Sequence, residues 1–294
     1  MNHFLFLMVN GLSIGFLYAL LGLGFVVIYK STGVLNFAQG SMVMIGGYFW
    51  FFTLSQLELH PLICLPLVAL ASIGMAIVIE VLVLRPLIGK PILSLVMITI
   101  GLTNVIEGIV LIFWGSEERT FPETLPNISV VTESLFIQSV YIWAIVISIL
   151  LIAVLFCFFK FSNLGIVMRA VSNNQSGALS MGINISKIFR VSWVLSALIA
   201  TAGGYVLSNV SLLNPSLSIV IYPLFAVVII GGLDSIPGAL VGGLVIGVLQ
   251  TLVAGYLVEY AGTSFKTVFP FLILLLVLMV KPHGLFGTKT VERL

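Results

Sequence analysis

Two glutamates stand inside long apolar runs of this chain, Glu80 and Glu107. An ionisable side chain in such a run is costly, which makes it a candidate for function by default. Thr103 and Asn104 precede Glu107 by four and three positions, so the three residues share one helix face. That polar stripe predicts either the lining of an aqueous path or hydrogen bonds to a neighbouring helix. Glu80 lies close to Arg85, which favours a structural ion pair or hydration at an interface over a functional site.

The chain lacks the motifs of ATP-hydrolysing and metal-dependent enzymes. Its only Gly-Lys pair, Gly89-Lys90, is followed by Pro91 and does not complete a phosphate-binding loop. No zinc-helix or dinucleotide-binding pattern occurs. The three histidines and two cysteines are scattered, which predicts neither a metal site nor a disulfide framework. We therefore expect a protein that is not an enzyme and has no cofactor of its own.

Composition predicts a chain that is built into a membrane throughout. Of its 294 residues, 60% are hydrophobic and 7% are charged, with a mean hydropathy of +1.26. Apolar windows of about 18 or more residues recur from end to end, the length of a bilayer-spanning helix. We predict an all-α polytopic bundle, one transmembrane domain over 1–294, with about eight or nine spans. The candidate spans are 4–29, 33–55, 61–84, 92–114, 139–159, 190–210, 218–233, 238–256 and 268–281.

Two segments of the predicted bundle carry signals of interrupted helices. The 33–55 span contains Asn36, Gln39 and several glycines, which allows a broken or re-entrant helix. The second signal is the stretch GGLDSIPGALVGG, which has four helix-breaking positions: Asp234, Ser235, Pro237 and Gly238. Exposed backbone groups are tolerated at membrane depth only where protein or water satisfies them. The second break therefore predicts either a pore-side interruption or a tight turn outside the membrane.

The distribution of basic residues predicts the orientation. Ten of the twelve Lys and Arg residues fall on one side of the arrangement, and Arg119 and Lys266 fall on the other. Such an excess marks the cytoplasmic side. We predict an external N-terminus, a cytoplasmic C-terminus, an external loop at 115–138 and a cytoplasmic loop at 160–190.

Glycine spacing predicts close helix packing. The pairs Gly11/Gly15, Gly238/Gly242 and Gly243/Gly247 each place small residues on one helix face. Packing within the chain is favoured over a dimerisation motif for each pair. The tripeptide Gly-Gly-Tyr occurs at 46–48 and again at 203–205, a recurrence that a glycine-rich chain produces by chance.

The segment MRAVSNNQSGALSMGINISK, residues 168–187, is polar and basic between two apolar runs. Asn173 or Asn174 is a suitable N-cap, and Gly182 suits a left-handed stop. The helix between them has about eight residues, too few to be stable alone in water. The segment is therefore either a solvated loop or a helix that docks in a groove on a partner.

Three stretches in order along the chain, TGVLNFAQGSMVMIGGY, MRAVSNNQSGALSMGIN and IIGGLDSIPGALVGGLVIG, resemble the permease subunits of branched-chain amino acid ABC importers. The resemblance covers about Gly11 to Gly287. It departs from the family's Asn-Phe-Ala-His-Gly-Glu pattern at Gln39 and Ser41, a difference that bears on the substrate more than on the fold.

The resemblance implies an ATPase-coupling loop at 160–190. The family's Glu-Ala-Ala-x-x-x-Gly motif corresponds here to Ser176, Gly177, Ala178 and Gly182, with Arg169 in the same segment. The resemblance also implies a second related permease chain, two ATPase subunits that use ATP, and an external solute-binding protein in the bacterial inner membrane system. The pathway would then be hydrated by four polar residues, Asn36, Gln39, Asn104 and Glu107.

Two other functions stay open from the sequence. An importer of urea, short amides or another small solute would share this fold, because permease motifs report coupling more clearly than cargo. A secondary transporter or channel that works without ATPases is a different class, and Glu107 within a span motivates it. Uptake that persists without ATPase subunits would favour that second class.

Overall fold

The computed structural model describes residues 2–87, 90–122, 126, 128, 130–132, 135–173, 175–262, 264–282 and 284–287. The described chain is helical apart from one short hairpin. Its α-helices are α1 (Asn2–Thr32), α2 (Gln39–Phe51), α3 (Pro61–Ile79), α4 (Ile92–Trp114), α5 (Ser139–Phe161), α6 (Asn163–Asn173), α7 (Gln175–Ser180), α8 (Ile185–Ser211), α9 (Ile221–Gly231), α10 (Ile236–Tyr256), α11 (Val258–Ala261) and α12 (Phe265–Val280). The hairpin pairs β1 (Val130–Thr132) with β2 (Leu135–Ile137) in antiparallel fashion.

Short segments of other helix types extend these helices. Phe52–Gln56 and Glu80–Leu84 are π-helical and continue α2 and α3, respectively. Arg85–Leu87 and Pro215–Val220 are 3-10 helices. A π-helical turn widens the backbone and is frequently found at functional sites.

Six described helices are long and apolar enough to cross a membrane: His3–Thr32, Pro61–Leu87, Leu93–Trp114, Ser139–Phe161, Ile185–Ser211 and Ile236–Tyr256. Pro215–Gly231 and Phe265–Val280 are shorter apolar helices. The helical class and the multi-pass character predicted from composition are confirmed, whereas the count of eight or nine spans is not. The difference arises because α2, with 13 residues, and the two shorter apolar helices fall below the roughly 20 residues that a spanning helix needs.

The chain divides into two compact units, which are described separately. The first contains 1–26, 126–149 and 222–294, and the second contains 27–125 and 150–221. The single domain over 1–294 stays a prediction.

In the first unit, α1 and α10 pack backbone to backbone through glycine. A Cβ atom on Gly11 would lie 2.8 Å from the Cα of Val248, and one on Gly243 would lie 2.6 Å from the Cα of Ala19. A Cβ on Gly247 would overlap the backbone of Gly15. Glycine allows this approach because lipid supplies no hydrophobic drive and packing must replace it. These glycine pairs therefore pack within the chain, as their spacing favoured.

The same unit contains a tight α9–α10 hairpin. A Cβ on Gly242 would overlap the Val227 carbonyl, and one on Gly238 would overlap the Gly231 carbonyl. The chain that follows α12 returns to this hairpin, where Leu285 N donates to Ile230 O at 2.7 Å and Phe286 N donates to Gly231 O at 3.0 Å. These bonds satisfy carbonyls at the end of α9 that have no partner within the helix.

In the second unit, α8 packs against α2 and α3. A Cβ on Gly46 would lie 2.5 Å from the Cα of Thr201, and one on Gly204 would overlap the Val43 carbonyl. The two Gly-Gly-Tyr tripeptides, at 46–48 and 203–205, therefore meet across the α2–α8 crossing. Their recurrence serves this contact, which the sequence alone did not indicate. On the α3 side of α8, the hydroxyls of Ser72 and Thr201 share a hydrogen bond of 2.8 Å.

Candidate functional site

A buried polar cluster in the second unit joins α2, α8 and the chain before α2. The cluster is formed by Asn36, Gln39 and Ser196, which are all completely buried. Gln39 Oε1 accepts hydrogen bonds from Asn36 Nδ2 at 3.2 Å and from Ser196 Oγ at 2.9 Å. Asn36 Oδ1 in turn accepts from the Ala38 amide at 3.1 Å, which fixes the turn that enters α2. Two of the four predicted pathway residues are thereby brought together.

The residues between α1 and α2 are not helical, and α4 supplies their hydrogen bonds. The Phe37 amide donates to Thr99 Oγ1 at 3.3 Å, and Thr103 Oγ1 donates to the Phe37 carbonyl at 3.3 Å. Irregular backbone in a membrane protein persists where protein satisfies its polar groups. The interruption allowed by the sequence of 33–55 is therefore present.

One polar atom of this cluster has no protein partner. Gln39 Nε2 is buried, and no acceptor lies within reach of it in the described chain. A buried amide donor left unpaired costs about 1–3 kcal/mol. Such a donor is therefore suited to bond a water molecule or another polar group.

The other two predicted pathway residues do not join the cluster. Asn104 is exposed, and its Nδ2 donates to the Ile100 carbonyl of its own helix at 3.2 Å. Glu107 is half-buried, and its side chain has no hydrogen bond among the described residues. Thr103 faces the Phe37 carbonyl, and Asn104 lies about 100° further round the helix. Thr103 thus makes a hydrogen bond to a neighbouring segment, one of the two roles predicted for this face, and a path lined by Asn104 and Glu107 stays a prediction.

The segment between α5 and α8 contains two helices and an ordered stop. Gly182 has φ +80°, its amide donates to the Leu179 carbonyl at 2.9 Å, and the Ile183 amide donates to the Ala178 carbonyl at 3.1 Å. These two bonds form a Schellman motif, which needs a left-handed residue at its C′ position. The stop expected at Gly182 is confirmed. Asn184 then begins α8 by accepting from the Lys187 amide at 3.1 Å.

The short helix α7 buries its alanine and exposes two larger apolar side chains. Ala178 is 6% exposed, whereas Leu179 is 57% and Met181 is 83% exposed. The part of Ala178 in ATPase coupling stays a prediction. α7 has six residues and includes Ser176 and Gly177, and the predicted N-cap position 174 lies outside the described residues.

Arg169 acts on the neighbouring helix in this structure. Its guanidinium donates to the Phe159 carbonyl in the last turn of α5. Gly165, one turn earlier on α6, allows the same approach, since a Cβ there would lie 2.8 Å from the Cα of Phe159. A cation at a helix C-terminus is favoured by the helix dipole. Arg169 therefore fixes the α5–α6 corner.

The second helix break forms a compact turn. Ser235 is the N-cap of α10, and its Oγ accepts from the Gly238 amide at 3.0 Å. Pro237 occupies the first turn of α10, where its missing N–H costs nothing. Asp234 lies in the same turn, which begins at Gly232 with φ +106°. This geometry favours the tight turn over an open interruption.

Glu80 has a different partner from the one its sequence neighbourhood suggested. Its Oε2 atom lies 2.9 Å from Arg190 Nε, 110 residues away in sequence. Arg85 contacts Glu80 only through its backbone amide, which donates to the Glu80 carbonyl in the π-helical turn, and its side chain is exposed. The predicted ion pair is therefore present, but its base is Arg190. The sequence around Glu80 does not reveal this base, because Arg190 lies on another helix, α8.

The chain matches the family described as branched-chain amino acid transport system / permease component over residues 7–278. It is 31% identical to the high-affinity branched-chain amino acid transport system permease protein BraD of Pseudomonas aeruginosa, over 99% of this chain and 98% of that protein. It is 30% identical to LivH of Salmonella typhimurium over 99% and 98%, and to the probable LivH of Methanocaldococcus jannaschii over 95% and 91%. No solved structure matches the chain.

These similarities extend from α1 into α12 and include the buried polar cluster, the α6–α7 segment and the α9–α10 turn. The relatives are permease proteins, which agrees with a chain made of membrane-spanning helices. The resemblance seen in three sequence stretches is confirmed over nearly the whole length. The chain therefore belongs to the family of permease components of branched-chain amino acid transport systems.

Proposed function

We propose that this chain is the permease subunit of an ATP-driven importer for branched-chain or other neutral amino acids. The observation that carries the proposal is the match to transport permeases over nearly the whole chain. In this assembly a second related permease completes the pathway, two ATPase subunits supply the energy, and an external binding protein delivers the solute. The assembly lies in the bacterial inner membrane, with residues 160–190 and the C-terminus in the cytoplasm.

The proposed coupling element is the segment 163–184, which contains α6 and α7. An isolated helix of six residues is not stable in water, so α7 gains from a partner that covers it. Leu179 and Met181 are its exposed apolar side chains, and apolar anchors of this kind fit a groove on a partner.

Ala178 and Gly182 build the end of the helix, while Arg169 fixes its approach. Ser176 and Gly177 belong to the same short helix.

The proposed pathway element is the buried polar cluster of Asn36, Gln39 and Ser196. Movement of the coupling segment by ATP-driven closure of the ATPases reaches this cluster through α8, which carries Ser196. The unpaired Gln39 Nε2 then becomes available to hydrate a zwitterionic solute. Asn104 and Glu107, which lie outside the cluster, contribute where a second permease chain covers α4.

Two alternatives remain distinct from this proposal. A permease for urea, short amides or another small solute is favoured by Gln39 and Ser41, which replace the residues usual in the family. A secondary transporter or channel is favoured by Glu107, a half-buried carboxylate without a hydrogen bond in the described chain. The first differs in cargo and the second in its energy source.

The test uses the full assembly in lipid vesicles, with labelled branched-chain amino acid and ATP inside. We expect uptake to require both ATP and the ATPase subunits. The double variant Leu179→Ser, Met181→Ser should lower uptake and solute-stimulated ATP hydrolysis together by about tenfold, since two apolar anchors are lost. It should leave the amount of inserted chain unchanged, because both side chains are exposed.

The matched control is Leu212→Ser, which changes a 40% exposed leucine at the opposite end of α8. We expect normal coupling for this variant. Uptake that continues without ATPase subunits would refute the proposal in favour of a secondary transporter. Uptake of urea or an amide instead of amino acids would refute only the cargo.

A further inference from the structure

An ion pair in the second unit joins the π-helical turn that continues α3 to α8. Glu80 Oε2 and Arg190 Nε are 2.9 Å apart, and the two side chains are 2% and 41% exposed, respectively. Glu80 Oε1 is buried and has no other partner in the described chain. A buried carboxylate is expensive unless it is paired. Arg190 is therefore the partner that compensates the burial of this carboxyl group.

The position of the pair connects it to the coupling segment. Arg190 lies in the second turn of α8, directly after the Schellman stop at Gly182 and the N-cap at Asn184. Glu80 begins the π-helical turn Glu80–Leu84, in which α3 is locally widened. The pair thus joins the second turn of α8 to the π-helical turn that continues α3.

A second polar link joins the same two helices further from the coupling segment. The hydroxyls of Ser72 and Thr201 are 2.8 Å apart. Thr201 is three turns along α8 from Arg190, about 16 Å at the usual helical rise. At Thr201, α8 also packs closely against α2, because a Cβ atom on Gly46 would overlap Thr201. The far part of α8 is therefore held by close packing, and the ion pair is the directional contact at its near end.

We propose that Glu80 and Arg190 are positioning residues that fix the start of α8 and transmit its displacement to α3. This inference rests on the proposed function, because it assumes that α7 is moved by an ATPase. An ion pair through Nε is directional and holds one geometry, unlike an apolar contact of similar area.

The test measures the amino acid imported per ATP hydrolysed in vesicles that contain the full assembly. Arg190→Met removes every donor and keeps the apolar stem, and we expect imported solute per ATP to fall at least about tenfold. It also leaves Glu80 buried alone, so thermal stability falls as well. The double variant Glu80→Leu, Arg190→Met removes both charges, and such apolar replacements usually restore stability. We expect the double variant to regain its melting temperature but not its coupling.

Two further variants separate positioning from structural support. Arg190→Gln places an amide nitrogen at the position of the arginine Nε, so it should retain the bond to Glu80 and recover part of the coupling. Ser72→Ala removes the other α3–α8 hydrogen bond and should leave solute per ATP unchanged.

A double variant that regains both stability and coupling would overturn the inference, because the pair would then only neutralise a buried charge. Normal coupling in Arg190→Met would overturn it too, whereas uptake without any ATPase would instead refute the proposed function.

Discussion

Two helix crossings of this chain use glycine for close packing but differ in their polar content. In the first unit, α1 and α10 meet through Gly11, Gly15, Gly243 and Gly247, and the backbones touch directly. In the second unit, α2 and α8 meet through Gly46 and Gly204, but the same helices also bury the hydrogen bond between Gln39 and Ser196. The α1–α10 contacts named above are backbone contacts of glycine, whereas the α2–α8 crossing also contains a hydrogen bond between two side chains.

The two crossings therefore differ in the role that each can have. A glycine crossing has one close-packed arrangement, because any displacement loses contacts without forming new ones. Hydrogen-bonded side chains can exchange partners, and Gln39 Nε2 is a donor that still lacks one. We infer that the α1–α10 crossing is a fixed support and that the α2–α8 crossing carries the groups that respond to solute.

The largest expected effect is that of Gly247→Ala. The added Cβ would overlap the backbone of Gly15, and no rotamer change relieves a clash with backbone. Overpacking costs about 1–3 kcal/mol where side chains can move, so more is expected here. Membrane insertion should survive, but the amount of folded chain in detergent extracts should fall below about a tenth.

Gly74→Ala is the matched control for that substitution. Gly74 also lies within a spanning helix, but its Cβ position has no atom within 4 Å. Alanine is favoured over glycine in a helix by about 1 kcal/mol, so stability should be equal or higher. Equal loss of folded chain in both variants would contradict the assignment of the α1–α10 crossing as a close-packed support.

An intermediate effect is expected for Gln39→Leu. This change removes the acceptor of Asn36 and Ser196 together with the unpaired donor. Uptake per assembled complex should fall about tenfold, the effect of about 1.4 kcal/mol on a barrier. Uptake is measured in vesicles and divided by the amount of assembled complex, so that a loss of stability does not lower the measured value.

Gln250→Leu provides the comparison from the first unit. Gln250 is also buried, and its Nε2 donates to the Lys266 carbonyl at 3.2 Å. We expect some loss of stability but normal uptake per assembled complex. If Gln250→Leu lowers uptake as much as Gln39→Leu does, the functional contrast between the two units is wrong.

The smallest effect is expected for Ser196→Ala. Gln39 Oε1 loses one of its two donors but keeps Asn36, so the loss is that of one hydrogen bond, about 0.5–1.5 kcal/mol. Uptake should fall about twofold to threefold, which corresponds to the lower end of that range. Ser192→Ala is the control, because the Ser192 hydroxyl bonds only to Ile188 of its own helix at 2.9 Å. An equal effect of both variants would show that the cluster adds nothing beyond helix packing.

Local features of this chain could be predicted from the sequence. Gly182 follows a short polar helix, and a left-handed stop there needs only its immediate neighbours. The interruption before Gln39 and the turn at Ser235 are also local, because asparagine, serine and proline act on the backbone beside them. Glycine pairs four apart correctly indicated close packing within the chain, since that spacing places both on one helix face.

Directions and partners of side chains could not be predicted in the same way. The resemblance placed Ala178 in the coupling motif, but only the structure shows that its side chain is buried while Leu179 and Met181 are exposed. Arg169 belongs to the same segment, and only the structure shows that its guanidinium contacts the end of α5. Each outcome depends on how one helix returns to another, and a sequence of apolar residues specifies that only weakly.

The sequence by itself determined that this chain is a helical multi-pass membrane protein and where its helices break, because hydropathy and turn chemistry act over a few residues. Its motifs were also sufficient to indicate the permease family. Only the tertiary structure decided that the two Gly-Gly-Tyr tripeptides meet and that Glu80 pairs with Arg190 across 110 residues. The physical reason is that a buried charge or a glycine face requires a partner, while the identity of that partner is set by which helices become neighbours.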